Sequence, residues 1–228
     1  RLGLPDSKCT VVPEGLELGQ FQPRAASNAL RAELGLEEDT PVITLVGGLI
    51  DWKGQDVLLQ AAPELFARYP NAPILLVGSA YGRNDLFARA IARQAAAPEM
   101  AGRVLLLGGR SDVPDLLALS SVVVHASTKP EPFGRTFLEG MAVGRPVIAA
   151  AEGGPLDVIT HKQDGLLIPP RDPGLLGAAI LRILDNPAWA AAMARQAAQT
   201  AKRYSIEQHT IAVSAVLDRV AARLPVPR

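Results

Sequence analysis

Short, unbroken apolar runs, each closed by glycine and each followed by a segment of helical period, constrain this chain most. Val42 to Val46 runs into Gly47-Gly48, Ile74 to Val77 into Gly78, and Val104 to Leu107 into Gly108-Gly109. Apolar runs of this length without polar alternation suit strands buried on both faces, the condition of a parallel sheet. Between the first two, Val57, Leu58, Ala61, Leu65 and Phe66 recur at helical spacing until Pro70. Asp85 to Ala96 and Val113 to Ser120 read as further helices. Val122 to Val124, Pro146 to Ala149 and Gly165 to Pro169 complete the set of strands. The alternation predicts an α/β fold, a doubly wound parallel sheet with helices on both faces.

Beyond Arg171 the pattern is wholly helical, with Leu175 to Leu184, Ala188 to Tyr204 and Ser205 to Leu224 as the expected helices. Ser205 and Gln208 have the spacing of a capping box at the start of the last one. The expected organisation is a lead-in or interdomain segment over 1–39, holding a helix from Ala25 to Leu34, then a Rossmann-like domain over 40–204. A C-terminal helix and tail occupy 205–228.

Composition excludes several classes of function. Lys and Arg together number 23, as do Asp and Glu, so no global field draws the chain to nucleic acid or an anionic membrane. The one cysteine, Cys9, cannot form an internal disulfide and favours a reducing, cytoplasmic setting. No Cys/His spacing resembles a zinc site. The apolar runs fall well short of the ~20 residues that span a bilayer, and the opening RLGLPDSK lacks the apolar core of a secretory leader. The chain begins at Arg1, as expected of a piece of a longer polypeptide.

In an open parallel sheet, ligands bind beyond the carboxyl ends of the strands. Gly47, Gly48, Gly78 and Gly109 all fall on that crest, where glycine lets backbone approach a ligand; for any one of them alone, a tight turn between strand and helix is the commoner reason. The stretch Pro130 to Met141, P-E-P-F-G-R-T-F-L-E-G-M, is denser in chemistry. Pro132 pushes Glu131 out of the α region and onto an extended loop. The amides of Gly134, Arg135 and Thr136 then become the free donors of a helix start, suited to phosphate. Arg135 is a cation at a helix N-terminus, which is unfavourable unless an anion sits beside it. Glu139 lies one turn further along. Lys53 follows the first glycine turn and places an ammonium on the same crest. His125 ends the fourth strand and reads as a packing residue. Neither a G-x-S-x-G elbow nor a G-x-G-x-x-G fingerprint occurs, which argues against a hydrolase triad and a dehydrogenase.

In order, V-G-G-L-I-D-W-K-G, L-L-V-G-S, V-L-L-L-G-G-R-S-D-V-P, E-P-F-G-R-T-F-L-E-G-M-A-V-G-R-P-V-I-A, G-G-P and D-G-L-L-I-P-P resemble the second half of retaining glycosyltransferases of family 4, which have the two-domain GT-B fold. The likeness runs from Cys9 to Tyr204. It implies that this half binds a nucleoside diphosphate sugar, with no metal or other cofactor, and that a preceding acceptor domain is missing. It implies that Lys53 contacts the diphosphate, that the amides around Phe133 to Thr136 hold it, and that Glu139 binds the ribose. Glu131 would face the donor sugar near its reacting carbon, so Glu131 and Lys53 carry the catalysis, and the loop from Gly108 to Arg110 would lie by the nucleobase. Seven residues separate Glu131 from Glu139, the family's interval. Two positions depart from the pattern: Gly48 stands where an arginine usually supplies a second phosphate contact, and Glu14 where asparagine is usual. Arg110 and Arg135 are the candidates to replace the absent contact. A nucleotide-sugar epimerase, a phosphorolytic enzyme of similar fold, and a nucleotide-binding module without catalysis remain alternatives. Membrane association, if present, would belong to the missing part.

Overall fold

A computed structural model describes residues 9–80, 85–100 and 102–222. The RLGLPDSK opening and the last residues of the helix expected to reach Leu224 lie outside the described residues. Six strands form one parallel sheet: β1 (Ile43–Val46), β2 (Ile74–Val77), β3 (Val104–Gly108), β4 (Val122–His125), β5 (Val147–Ala150) and β6 (Leu166–Ile168). Their spatial order is β3-β2-β1-β4-β5-β6. The order reverses between β1 and β4, which makes that junction the switch point of a doubly wound sheet and the place where such sheets open a crevice.

Nine helices are described: α1 (Asn28–Glu33), α2 (Gln55–Arg68), α3 (Asp85–Ala95), α4 (Val113–Leu119), α5 (Arg135–Ala142), α6 (Pro155–Val158), α7 (Pro173–Asp185), α8 (Pro187–Ala201) and α9 (Ile206–Ala221). Successive strand residues point to opposite faces, and the core divides accordingly. Ile43, Leu45, Val122 and Val124 pack with α2 and α7 on one side. Val123, Val147 and Ala149 pack with Phe137, Leu138 and Met141 of α5 and Ala197 and Ala201 of α8 on the other. Thr44 is the polar exception within β1. It is fully buried, and its hydroxyl accepts from Ser120 Oγ at 2.6 Å, so its burial is compensated.

The expected strands and helices are present with boundaries shifted by up to three residues, and the short α6, Pro155–Val158, is an addition that the hydrophobic pattern did not indicate. β4 continues to His125, which pairs with Ala149 of β5. The helix expected to run to Tyr204 ends at Ala201 and tightens into a 3₁₀ turn over Lys202–Tyr204. Ser205 does cap α9, its Oγ accepting from the amide of Gln208 at 3.2 Å.

The segment before residue 40 packs onto this domain. Leu16 is 1% exposed and joins the α5 and α8 side of the core together with Phe21. Its amide donates to the carbonyl of Tyr204 (2.8 Å), and its carbonyl accepts from Ile206 (2.9 Å). The lead-in and the C-terminal helix therefore meet beside the sheet.

Candidate functional site

Lys53 and Glu131 come together at the switch point, one from the loop after β1 and the other from the loop after β4. Lys53 Nζ lies 2.7 Å from Glu131 Oε2, and the ammonium also stands 4.2 Å from the centre of the Trp52 ring. The two loops are tied by the amide of Thr128, which donates to the carbonyl of Trp52 at 2.8 Å. Beneath the pair, Gln55 is fully buried, and its Nε2 donates to the carbonyls of Gly47 and Gly48 at 3.3 and 2.9 Å. That side chain fixes the glycine turn that leads to Lys53.

Glu131 is 8% exposed. Its Oε2 accepts from Ser127 Oγ at 2.9 Å and lies 3.4 Å from His125 Nε2. Burial resists ionisation, but the hydrogen bonds and charges of His125 and Lys53 outweigh it, and the carboxyl pKa falls from 4.5 to about 2. Its backbone is fixed as firmly: the carbonyl of Glu131 accepts from the amide of Gly154 at 2.8 Å, and Glu131 bridges Gly153 as an isolated strand pair. His125, read from sequence as a packing residue, has two surroundings. Its ring meets Phe137 edge-on, 5.4 Å between centroids, while Nε2 faces Ser127 and Glu131.

Helix α5 opens directly after this carboxylate. Its N-cap is Gly134, with φ +91°, and no side chain caps it. A Cβ there would stand 2.7 Å from Phe137 Cε1, so both conformation and space demand glycine. The first amides of the helix, at Arg135 and Thr136, therefore have neither an intrahelical acceptor nor a side-chain cap. Arg135 stays largely exposed, and its Nη2 lies 3.8 Å from Glu139 Oε1, too long for a hydrogen bond. Glu139 is buried at 8% exposure, and burial raises its pKa against the weaker pull of Arg135. Phe133 is half-buried, its ring 5.9 Å from that of Tyr204.

The remaining expected residues have different surroundings. Gly78 has a structural need for glycine: a Cβ would stand 2.1 Å from the carbonyl oxygen of Gly47. Gly48 is open by contrast, the nearest atom to such a Cβ being the Ser79 carbonyl oxygen at 3.6 Å. Gly109 faces Ser79 Oγ. Arg110 is held by both oxygens of Asp112 (2.8 and 2.6 Å) and by Glu33 (2.8 Å), so a ligand must exchange with these partners to use it. Arg171, which sequence reasoning did not single out, has a left-handed backbone at φ +61°, and its Nη2 donates to the carbonyl of Thr128 on the β4 loop. Among the described residues, no group of three or more His, Cys, Asp or Glu side chains is placed to hold a metal ion.

The chain is thus an α/β domain of the doubly wound class, whose members bind ligands at the switch point, and an ammonium beside an uncapped helix start there is chemistry suited to phosphate. Residues 26–203 match the family model of glycosyl transferases group 1, and the chain belongs to that family. It is 30% identical over 212 residues to the lipopolysaccharide core biosynthesis mannosyltransferase LpsB of Rhizobium meliloti, covering 92% of this chain and 60% of the relative. It is 34% identical over 213 residues to a D-inositol 3-phosphate glycosyltransferase of Rhodococcus opacus, covering 91% of this chain and 47% of the relative. The chain thus spans about half the length of the curated relatives it matches. Among solved structures it resembles Anabaena HepE in complex with UDP and glucose, with TM-score 0.87, 28% identity, and coverage of 95% of this chain and 58% of the other. The sheet, the helices around it and these neighbours place the chain in the GT-B architecture. Among the described residues no helix is long and apolar enough to cross a membrane.

Proposed function

We propose that this chain is the donor-binding, C-terminal domain of a retaining family 4 glycosyltransferase. It would move a sugar from a nucleoside diphosphate sugar to the hydroxyl of an acceptor held by another domain of the same cytoplasmic polypeptide. The Lys53–Glu131 pair, set at the switch point against the open start of α5, carries the proposal. The binding of UDP by HepE and the 47–60% coverage of the relatives support it.

In this reading the diphosphate lies across Lys53 and the amides of Gly134, Arg135 and Thr136. These groups stabilise the charge that grows on the leaving diphosphate as the glycosidic bond breaks, which lowers the barrier more than it tightens the ground state. Glu139 accepts from the ribose hydroxyls. Glu131 is ionised across the physiological range and faces the donor sugar, with Ser127 and His125 holding its orientation. The scheme uses cations and dipoles of the protein itself, with no metal.

Calorimetric titration with UDP, GDP and ADP tests the site. Lys53→Ala and Glu139→Ala are each expected to weaken nucleotide binding about tenfold or more, the worth of a charge-assisted hydrogen bond. Wild-type affinity in both variants would refute the assignment. The open space at Gly48, where a second cationic contact is absent, favours one competing reading, a nucleotide-binding module without transfer. Product analysis on the full-length polypeptide separates the two.

A further inference from the structure

At the opposite end of the strands from the crest, the residues preceding β1, β4 and β5, namely Pro41, Ser121 and Pro146, border a cavity of about 540 Å³. Its far wall is the small-residue face of α8, including Ala190, Ala191 and Ala194. Into this apolar surround come two arginines, Arg145 from the turn after α5 and Arg195 from α8. Asp39 is the one acidic residue in the lining, and it forms no ion pair with either.

Arg145 is the unusual member. Its Nε is sealed from solvent with no hydrogen-bond acceptor, and none of the ion pairs among the described residues includes it. A guanidinium carries five donors and stays charged in proteins, so leaving one buried and unpaired is costly. Arg31 aggravates the imbalance. Its charge acts on Arg145, while its own Nη1 is occupied by the carbonyls of Glu37 and Thr40. The chain as a whole is neutral, yet this corner concentrates cations around a hollow.

We propose that this cavity binds a small organic anion, with Arg145 and Arg195 taking its phosphate or carboxylate oxygens and the proline and aliphatic walls, with Ile183 and Leu184, taking its carbon body. Both arginines reach the lining, so an oxyanion there meets the terminal nitrogens of planar guanidiniums, which grip it through paired hydrogen bonds, and it balances the charge that Arg145 holds without an ion-pair partner. The site is independent of the crest. Helix α5 nevertheless joins the two, since it begins at the Gly134 amides and ends one turn before Arg145.

The test uses phenyl phosphate and benzoate as probes, titrated calorimetrically into the chain held in excess UDP so that the crest is occupied. Inorganic phosphate and phenol serve as single-feature controls. Phenyl phosphate or benzoate is expected to bind at least tenfold more tightly than the matching control, and the preferred probe identifies the anion class. Arg145→Gln and Arg195→Gln are each expected to weaken that binding roughly tenfold, while Lys53→Ala leaves it unchanged. Arg195 is exposed and Arg145, half-buried, forms no ion pair among the described residues, so both variants should fold; matching thermal melts check this. Absence of binding by both probes, or binding that survives both arginine substitutions, overturns the proposal without touching the crest assignment. A loss caused equally by Lys53→Ala would show that the probes read the crest, and would overturn it too.

Discussion

Glu131→Gln should separate the electrostatic work of the carboxylate from its shape. In the folded chain its pKa is about 2 against an ordinary 4.5, so the ionised form is favoured by folding. At 1.36 kcal/mol for each tenfold change in proton affinity, the difference amounts to ~3 kcal/mol of stability at neutral pH. A depressed folded pKa contributes stability above the unfolded pKa and loses it as pH falls through the folded value. The contribution is therefore complete above about pH 5.5, falls to less than half by about pH 3, and is gone below about pH 2. Glutamine still accepts hydrogen bonds from Ser127 and Lys53, so the variant should lose somewhat less than the full amount. The assay is urea unfolding of both proteins between pH 7 and pH 3, comparing midpoints at equal slope. Other titrating groups are common to both proteins and cancel in the difference. A gap that stays constant from pH 7 to pH 3 would refute the ion-pair account of Glu131, as would the absence of any gap at pH 7.

Glu139 calls for the opposite sign. Burial raises its folded pKa, so the ionised carboxylate subtracts stability above that pKa, and Glu139→Gln should stabilise the chain at neutral pH while weakening UDP binding, by urea unfolding and calorimetry respectively. UDP affinity of the wild type should fall as pH drops through that raised value, and the glutamine variant should lose this dependence. Gly48→Arg fits the space beside the Ser79 carbonyl; calorimetry should show tenfold or greater tightening of UDP if a second charge-assisted phosphate contact is restored. Gly134→Ala forces a Cβ into Phe137 at φ +91°; it should cost ~1 to 3 kcal/mol of stability and displace the α5 amides, so UDP affinity should fall with it.

The sheet was legible because its signal is local. Ile74 to Val77 is an uninterrupted apolar run fenced by Pro73 and Gly78, and the strand occupies those four residues. Its neighbours blur at the ends because pairing, not composition, decides where a strand stops. Val42 is as buried as Ile43 but lies outside β1, and its carbonyl accepts from Ser121 and Val122. Lys53, Glu131, the open helix start and Glu139 were also readable, since proline, glycine and charge at fixed offsets carry that information along the chain. What escaped depends on distant partners. Gln55 looks like any polar residue in a first helical turn, and only the folded chain sets it under Gly47 and Gly48. Leu16 and Phe21 lie in a segment without periodicity and join the core through contacts nearly two hundred residues away in sequence, by way of Tyr204 and Ile206.

The crest combines features that each disfavour the folded state alone: a buried carboxylate with raised pKa, a helix start without a cap, and a left-handed Arg171. Only the Lys53–Glu131 pair offsets its own desolvation, because each charge neutralises the other and Ser127 adds a donor. In the proposed cycle this pairing has a further consequence. A diphosphate that recruits Lys53 must draw it from Glu131, and the carboxylate then loses its strongest neighbouring cation as the sugar arrives. The pKa of Glu131 should rise in the nucleotide complex, because burial is then opposed only by His125 and Ser127. In the Glu139→Gln background, which removes the opposing proton release at Glu139, binding of UDP would then be accompanied by proton uptake at mildly acidic pH. Calorimetry in two buffers of different ionisation enthalpy measures that uptake, and it should disappear when Glu131→Gln is added. If proton uptake persists unchanged in that variant, the proton is not taken up by Glu131, and the displacement of Lys53 from that carboxylate is refuted as its source.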